Sequence, residues 1–357
     1  MTVQCPPQTD AFRDLFRIFA NREDRVLEFE ILPPAFGPIL EDGSSIGITK
    51  KYLVQAFVVA RRVFFDNLAD FKSTGGATLL DTSASNSGGD VLDKKLAIAS
   101  EIILLFDCEH LTACNWRKRR LSALFRLNLE ALLRALDVEL SLMTTYLCSP
   151  LHRHTKSPTL WQHRQWVQSH LVRLRKPSFN KIEGLFQTEL SVVLRAGELH
   201  PRNYYAFTHL RQIHRMLSES GEVEGEKWRL QLGRSILNSA LDWCLAHPAD
   251  ISGLMFLLYL LDVVPDTTLR SDTVGKLIRF ALDIGWEGES IWTFIDLAIR
   301  KFQLLKLVDD SQSYPWSVLG IASSAGSQGD SKPIVSWRIW LDRARVHWAT
   351  EPIQNHA

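Results

Sequence analysis

Residues 200–217 read HPRNYYAFTHLRQIHRML, and residues 154–171 read HTKSPTLWQHRQWVQSHL. Laid over one another, they put Trp161 opposite Phe207 and His163 opposite His209. Residues 247–261, HPADISGLMFLLYLL, repeat the His-Pro of 200–201 and bring Leu254 into the same place. Upstream, HLTACNWRKRRL (110–121) brings in Cys114, and downstream GESIWTFIDLAI (288–299) brings in Trp292. One slot therefore recurs at 114, 161, 207, 254 and 292, in steps of 47, 46, 47 and 38 residues. A near-constant step of this length marks stacked helical hairpins, because a single hairpin cannot bury its own apolar stripe and needs its neighbours to do so.

The text between the slots has helical period. Phe179, Ile182, Leu185, Phe186, Leu190, Val193 and Leu194 form one apolar stripe, with Ser178 placed as N-cap. Gly197 is placed to end that helix in a left-handed conformation, and Pro201 to open the next. Leu129, Leu132, Leu133, Leu136, Leu140 and Met143 repeat the stripe, and helices are also expected over 49–71, 93–107, 225–246, 270–284 and 289–307. The best strand candidate, Glu28–Leu32, is short and ends at Pro33-Pro34. The expected fold class is all-α, a right-handed superhelix (α-solenoid) of stacked helical hairpins. Its expected organisation is an N-terminal helical region at 1–71, a flexible insertion rich in Gly, Ser and Thr at 72–90, five hairpins at 91–308, a flexible loop at 309–332, and a C-terminal helix and tail at 333–357.

Composition narrows the function classes. The 357 residues carry Lys+Arg 41 against Asp+Glu 40, a formal charge of +1, which argues against a dedicated nucleic-acid binder. No apolar run approaches the roughly 20 residues that span a bilayer. MTVQCPPQTDAFRDLF lacks the basic and apolar regions of a secretory signal, so a soluble, cytoplasmic protein is expected. Cys5, Cys108, Cys114, Cys148 and Cys244 form no CxxC pair. Cys108, His110 and Cys114 are candidate metal ligands, but no fourth ligand stands at suitable spacing and Cys114 occupies the repeat slot; they read as core, and no metal is expected in this chain. No Ser-His-Asp, paired-carboxylate or phosphate-loop pattern stands out.

The third unit, ELSVVLRAGELHPRNYYAFTHLRQIHRML (189–217), resembles the protein prenyltransferase alpha-subunit repeat. Glu189, Leu190, Pro201, Asn203, Tyr204, Ala206, His209 and Arg211 match its pattern, with Phe207 in place of the family's tryptophan. The second unit keeps Trp161, His163, Arg164 and Trp166 but reads Lys156-Ser157-Pro158 at the Asn-Tyr step. The first retains Asn115, Trp116 and Arg117, and the fourth and fifth have mostly lost the polar positions. The stretch 37–65, with CEHLTACNWRKRRL and TKSPTLWQHRQW, is similar to the prenyltransferase alpha-subunit-repeat-containing proteins, the orphan alpha-like chains.

The resemblance implies half an enzyme. In that family an alpha chain of helical hairpins wraps a beta subunit, which supplies the zinc and the apolar barrel that holds a farnesyl or geranylgeranyl diphosphate. The acceptor is a protein with a C-terminal cysteine, whose thiol the zinc keeps as thiolate. The alpha chain is implied to lend a lysine to the diphosphate at the interface, and Lys156 matches that lysine, while the family's companion tyrosine is Pro158 here. His163, Arg164, His209 and Arg211 have two readings, a surface facing the beta subunit or hydrogen bonds across adjacent hairpins. The basic run Arg117-Lys118-Arg119-Arg120 reads as a solvated face. The other function class is a non-catalytic helical-repeat scaffold.

Overall fold

A computed structural model describes residues 9–73, 87–125, 128–218 and 222–304. The expected insertion at 72–90 falls outside these residues from 74 to 86, and the expected loop at 309–332 and C-terminal helix at 333–357 lie wholly outside them. Two compact units are present, 1–216 and 217–357.

The first unit opens with helix α1 (Thr9–Ala20) and strands β1 (Glu28–Leu32), β2 (Ile39–Asp42) and β3 (Ser45–Thr49). Then come α2 (Lys50–Ser73), α3 (Ser87–Phe106), α4 (Leu111–Leu124), α5 (Leu129–Leu147), α6 (Pro158–Arg175), α7 (Phe179–Leu199) and α8 (Tyr204–Ser218). The second holds α9 (Glu222–Ala246), α10 (Ile251–Val263), α11 (Thr267–Asp283) and α12 (Glu289–Phe302). Among the described residues the helices from α3 onward fall into five consecutive pairs, and the fold is all-α apart from one small sheet.

That sheet is the departure from the expected helical region at 1–71. Its order is β1-β3-β2, with β1 parallel and β2 antiparallel to β3. Phe29, Ile46 and Ile48 alternate onto one buried face, and Phe29 stacks on Phe19 of α1 at 5.6 Å. The free edge of β1 is closed by α5 and the residues just after it: the Leu27 N–H donates to Thr145 Oγ1 at 3.0 Å and the Phe29 N–H to Ser149 Oγ at 2.9 Å. A signal for the hairpin stands in the sequence, Asp42-Gly43, with Gly43 at φ 59° where a two-residue turn needs a left-handed residue. Period-2 alternation is weak because β2 has no buried residue and β3 runs straight into α2.

Each repeat slot has one structural address. Cys114, Trp161, Phe207, Leu254 and Trp292 are each the fourth residue of the second helix of their pair, and all are buried. Four residues earlier stands the N-cap, and in four pairs its side chain accepts a backbone N–H: His110 from Ala113, Ser157 from Leu160, Asn203 from Ala206, and Asp250 from Ser252 and Gly253. Gly288, in the fifth pair, offers no side chain. The third pair turns differently from expectation. α7 runs through buried Gly197 to Leu199, and the left-handed residue is Arg202 at φ 60°. Pro201 thus lies in the loop, and α8 begins after the Asn203 cap.

Inside each unit the pairs pack on one another. In the first, α2 lies on α3, α1 on both, and α4, α5 and α6 follow in succession, with a cluster of Leu121, Leu132, Leu136, Val167 and Leu171 between the last three. In the second, α9 packs on α10, and α12 on both α10 and α11.

Candidate functional site

Lys156 ends a single 3-10 turn, His154–Lys156, between α5 and α6. The turn is fixed from several sides. Thr155 O accepts from both Trp161 Nε1 at 2.8 Å and Asn203 Nδ2 at 2.6 Å, so the second and third pairs hold one carbonyl together. Thr155 Oγ1 is 2.7 Å from His200 Nδ1, and His154 Nε2 donates to Leu104 O at 3.0 Å. Ser157, besides capping α6, donates its hydroxyl to Cys108 O at 3.2 Å. Burial lowers the His154 pKa to about 4, so the ring is neutral and is a donor through one nitrogen only. Out of this clamped backbone the Lys156 side chain emerges exposed, its ammonium donating to Pro201 O at 2.9 Å.

Behind the turn runs a ladder of buried charges. Glu139 on α5 receives Arg117 of α4 in two bonds, Nε at 2.7 Å and Nη2 at 2.6 Å, and His163 Nε2 of α6 at 2.6 Å. Glu189 on α7 receives Arg164 of α6 in the same way, at 2.8 and 2.5 Å, with His209 Nε2 of α8 at 2.9 Å and Gln168 Nε2 at 2.7 Å. The rule is simple. An arginine three residues after the slot of one pair and a histidine two residues after the slot of the next share a glutamate on the helix between them. Burial alone would raise both carboxyl pKa values, but the adjacent guanidiniums and the donated hydrogen bonds outweigh it and hold both well below the ordinary range. His209 is pushed down by burial and by Arg164, against the pull of Glu189.

Among the described residues, the ladder ends where the positions after the slot turn apolar. Slot-plus-three in the third pair is Leu210, and the slot-plus-two and slot-plus-three residues are Phe256 and Leu257 in the fourth and Phe294 and Ile295 in the fifth, all fully buried. Apolar residues stand there where no shared glutamate calls for a cation.

Segment 186–217, from Phe186 on α7 to Leu217 on α8, matches the family model described as the protein prenyltransferase alpha subunit repeat. The chain contains the prenyltransferase alpha-subunit repeat. Within it lie Glu189, Asn203 and His209, so the matched segment holds the cap and part of the rung just described. Over 163 residues the chain is 25% identical to the protein prenyltransferase alpha subunit repeat-containing protein 1-B of Xenopus laevis. That match covers 41% of this chain and 36% of the relative, so the chain spans little more than a third of the relative's length.

The repeat residues divide sharply by exposure. Trp116, Arg117, Trp161, His163, Arg164, Asn203 and His209 are buried, so they bind neighbouring hairpins and present nothing to a partner. Trp116 meets Phe64 of α2 edge-on at 5.7 Å. Arg117 corrects the expectation of a solvated basic face: it is 3% exposed, because Glu139, Ser100 and the Ala97 carbonyl surround its guanidinium. Arg120 of the same run pairs with Asp93. Trp166 and Arg211 are half-buried, with Trp166 against His170 at 4.1 Å. Asn115, Lys156 and Tyr204 are exposed and remain available to a partner.

His110 is spent as a cap, and Cys114 fills a slot with its thiol pushed up to about 12 by burial. Among the described residues no group of three or more His, Cys, Asp or Glu is gathered as metal ligands. No described helix is long and apolar enough to cross a membrane. Sequence reasoning missed Thr155 and His200 beside Lys156, the shared glutamate Glu139, and the charge-sharing role of Glu189. Glu189 was visible as part of the repeat, whereas Glu139 stands outside any motif text.

Proposed function

We propose that this chain is the alpha-like subunit of a heterodimeric protein prenyltransferase, acting in the cytoplasm on proteins that end in a cysteine-bearing segment. One observation carries the reading: the lysine at the family's diphosphate position sits exposed on a turn whose backbone is clamped by buried residues of two repeats. A clamped backbone narrows where the ammonium can reach, which suits the preorganised charge that electrostatic stabilisation of a transition state requires. Transfer forms a carbon–sulfur bond and breaks a carbon–oxygen bond, and the electron pair leaves on the diphosphate. Lys156 meets that growing negative charge. Zinc, in this reading, belongs to the beta subunit and supplies the thiolate.

Co-purification and single-turnover kinetics test this. The chain is expected to bring down a prenyltransferase beta subunit one to one, and Lys156→Ala to leave the assembly intact while slowing transfer. Loss of one such donor costs roughly 100- to 1000-fold. The low end is expected, because Pro158 replaces the companion tyrosine. A wild-type transfer rate in the Lys156→Ala heterodimer overturns the catalytic role. Failure to engage any beta subunit favours the scaffold reading, which the wholly apolar slots of the fourth and fifth pairs also suit.

A further inference from the structure

Helix α2 buries one face and, among the described residues, leaves the other open. Leu53, Ala56, Ala60 and Phe64 are buried at helical spacing, and α1 and α3 are the helices that α2 packs on. Val58, Arg61, Arg62 and Phe65 stand at i, i+3, i+4 and i+7, so they share the other face, and all four are exposed. A hollow of about 350 Å³ lies among them, with Phe57 as a further wall. The apolar surface continues past the helix. Phe57 stacks on Phe106 at 4.3 Å, and Phe65 lies 6.1 Å from the ring of His110, the neighbour of Leu111. Phe106 and Leu111 are exposed as well, Leu111 by 61%. Scattered exposed apolar side chains are ordinary, but these join into one patch, and a joined patch marks a contact surface.

Charge says what the patch is built to meet. Residues 50–68 of α2 carry Lys50, Lys51, Arg61 and Arg62 against one acid, Asp66. The Arg61 guanidinium lies over the Phe65 ring at 5.4 Å. Among the described residues neither Arg61 nor Arg62 pairs with a carboxylate, Asp66 included, or donates a hydrogen bond. The acids beside Phe106 are engaged elsewhere: Asp107 accepts the Glu109 N–H at 3.2 Å, and the Glu109 carboxylate accepts the Thr159 hydroxyl. Two guanidiniums thus flank an apolar hollow with their donors unspent.

We propose that this face of α2 docks an acidic segment of a further protein, held at the same time as any beta subunit. An apolar side chain of that segment fills the hollow between Val58 and Phe65, and its carboxylates take the guanidiniums of Arg61 and Arg62. Arginine and aromatic residues are the types enriched where proteins meet, and a planar guanidinium matches a carboxylate in two parallel bonds. The mixture of charge and small apolar area fits a peptide that comes and goes, whereas an obligate subunit interface is large and mostly apolar. A membrane surface is met by clusters of about four to eight bases, more than the two on this face.

The proposal uses neither Lys156 nor the transferase reading, and the purified full chain tests it. The probe is a phage-displayed library of random peptides of about twelve residues, selected on the wild-type chain. The enriched sequences should carry Asp or Glu around a Leu, Phe or Trp. By fluorescence anisotropy, Arg61→Glu with Arg62→Glu should weaken the enriched peptide at least about tenfold, and Val58→Asp should do the same. Raising the salt from 50 to 300 mM should weaken wild-type binding several-fold, and both variants should keep the wild-type melting temperature because the residues are exposed. No enrichment, enriched peptides without acids, or binding indifferent to both variants overturns the proposal. Retention of the chain by vesicles of phosphatidylserine and phosphatidylcholine, lost in the arginine variant, would assign the face to a membrane instead. Displacement of the peptide by a prenyltransferase beta subunit would make this the subunit interface, and also overturns it.

Discussion

Arg117 and Glu139 meet side-on through two hydrogen bonds of 2.7 and 2.6 Å, with both side chains only 3% exposed. They lie 22 residues apart, on the second helix of one pair and the first helix of the next. The contact repeats at Arg164 and Glu189, and it ties consecutive hairpins by charge where the slots tie them by apolar packing.

Removing one partner should cost far more than the pair is worth. Arg117→Ala leaves Glu139 buried with His163 as its remaining side-chain partner, and a broken buried pair typically costs about 3–5 kcal/mol. The double variant Arg117→Met, Glu139→Leu removes both charges but leaves Glu101 and His163 without these partners, so it should recover only part of that loss. Urea denaturation of the three proteins checks it, and a single-variant loss under about 0.5 kcal/mol would return Arg117 to a solvated role.

Acid should unfold the first unit in two stages. His154 is held neutral with its pKa lowered from 6.5 to about 4, so the unfolded chain takes the proton first as pH falls below 6.5. Stability is therefore lost between pH 6.5 and about 4, on the order of 3 kcal/mol for this one group. His209, also depressed, works in the same direction. Glu139 and Glu189 have depressed pKa values, so their stabilisation is whole above the ordinary carboxylate value of 4.5 and lost as pH falls below it. Denaturation at pH 8, 5.5 and 4 should show the decline, and His154→Gln should remove most of the first stage.

Asn203 has two jobs that one atom change separates. Its Oδ1 caps α8 and its Nδ2 holds the Thr155 carbonyl. Asn203→Asp keeps the cap and loses the clamp, whereas Asn203→Ala loses both, with the cap worth about 1 kcal/mol. Thermal melts should rank wild type above Asn203→Asp above Asn203→Ala, and hydrogen exchange should rise at 154–157 in both variants.

The slot should be equally unforgiving where no polar residue surrounds it. Leu254 is fully buried on α10, and Leu254→Ala should cost about 2–5 kcal/mol through lost contact and the cavity left behind. Asn115→Ala, one residue past the first slot but exposed, should change stability by no more than about 0.5 kcal/mol. Equal effects at the two positions would mean that the repeat alignment does not mark the core.

The sequence by itself determined the hairpins and their phase. A slot every 46 or 47 residues over the first four pairs and an apolar stripe at helical spacing are both local, because a helix places i, i+3 and i+4 on one face whatever lies elsewhere. Lys156 stands out only through the resemblance to the prenyltransferase alpha-subunit repeat, which sets it five residues before Trp161. Only the tertiary structure decided the rest. Whether Arg117 is a solvated cation or a buried one depends on Glu139, on another helix, and the sequence around Arg117 is the same basic run in either case. The sheet at 28–49 depends on β1 meeting β3 across an intervening strand and on hydroxyls of α5 closing its edge, contacts that no periodicity announces. His200 comes beside Lys156 because two loops, 45 residues apart, close on Thr155. Helical period is set by the backbone of one segment, whereas the ionisation of a buried group and the pairing of a strand edge are set by whatever atoms the fold brings alongside.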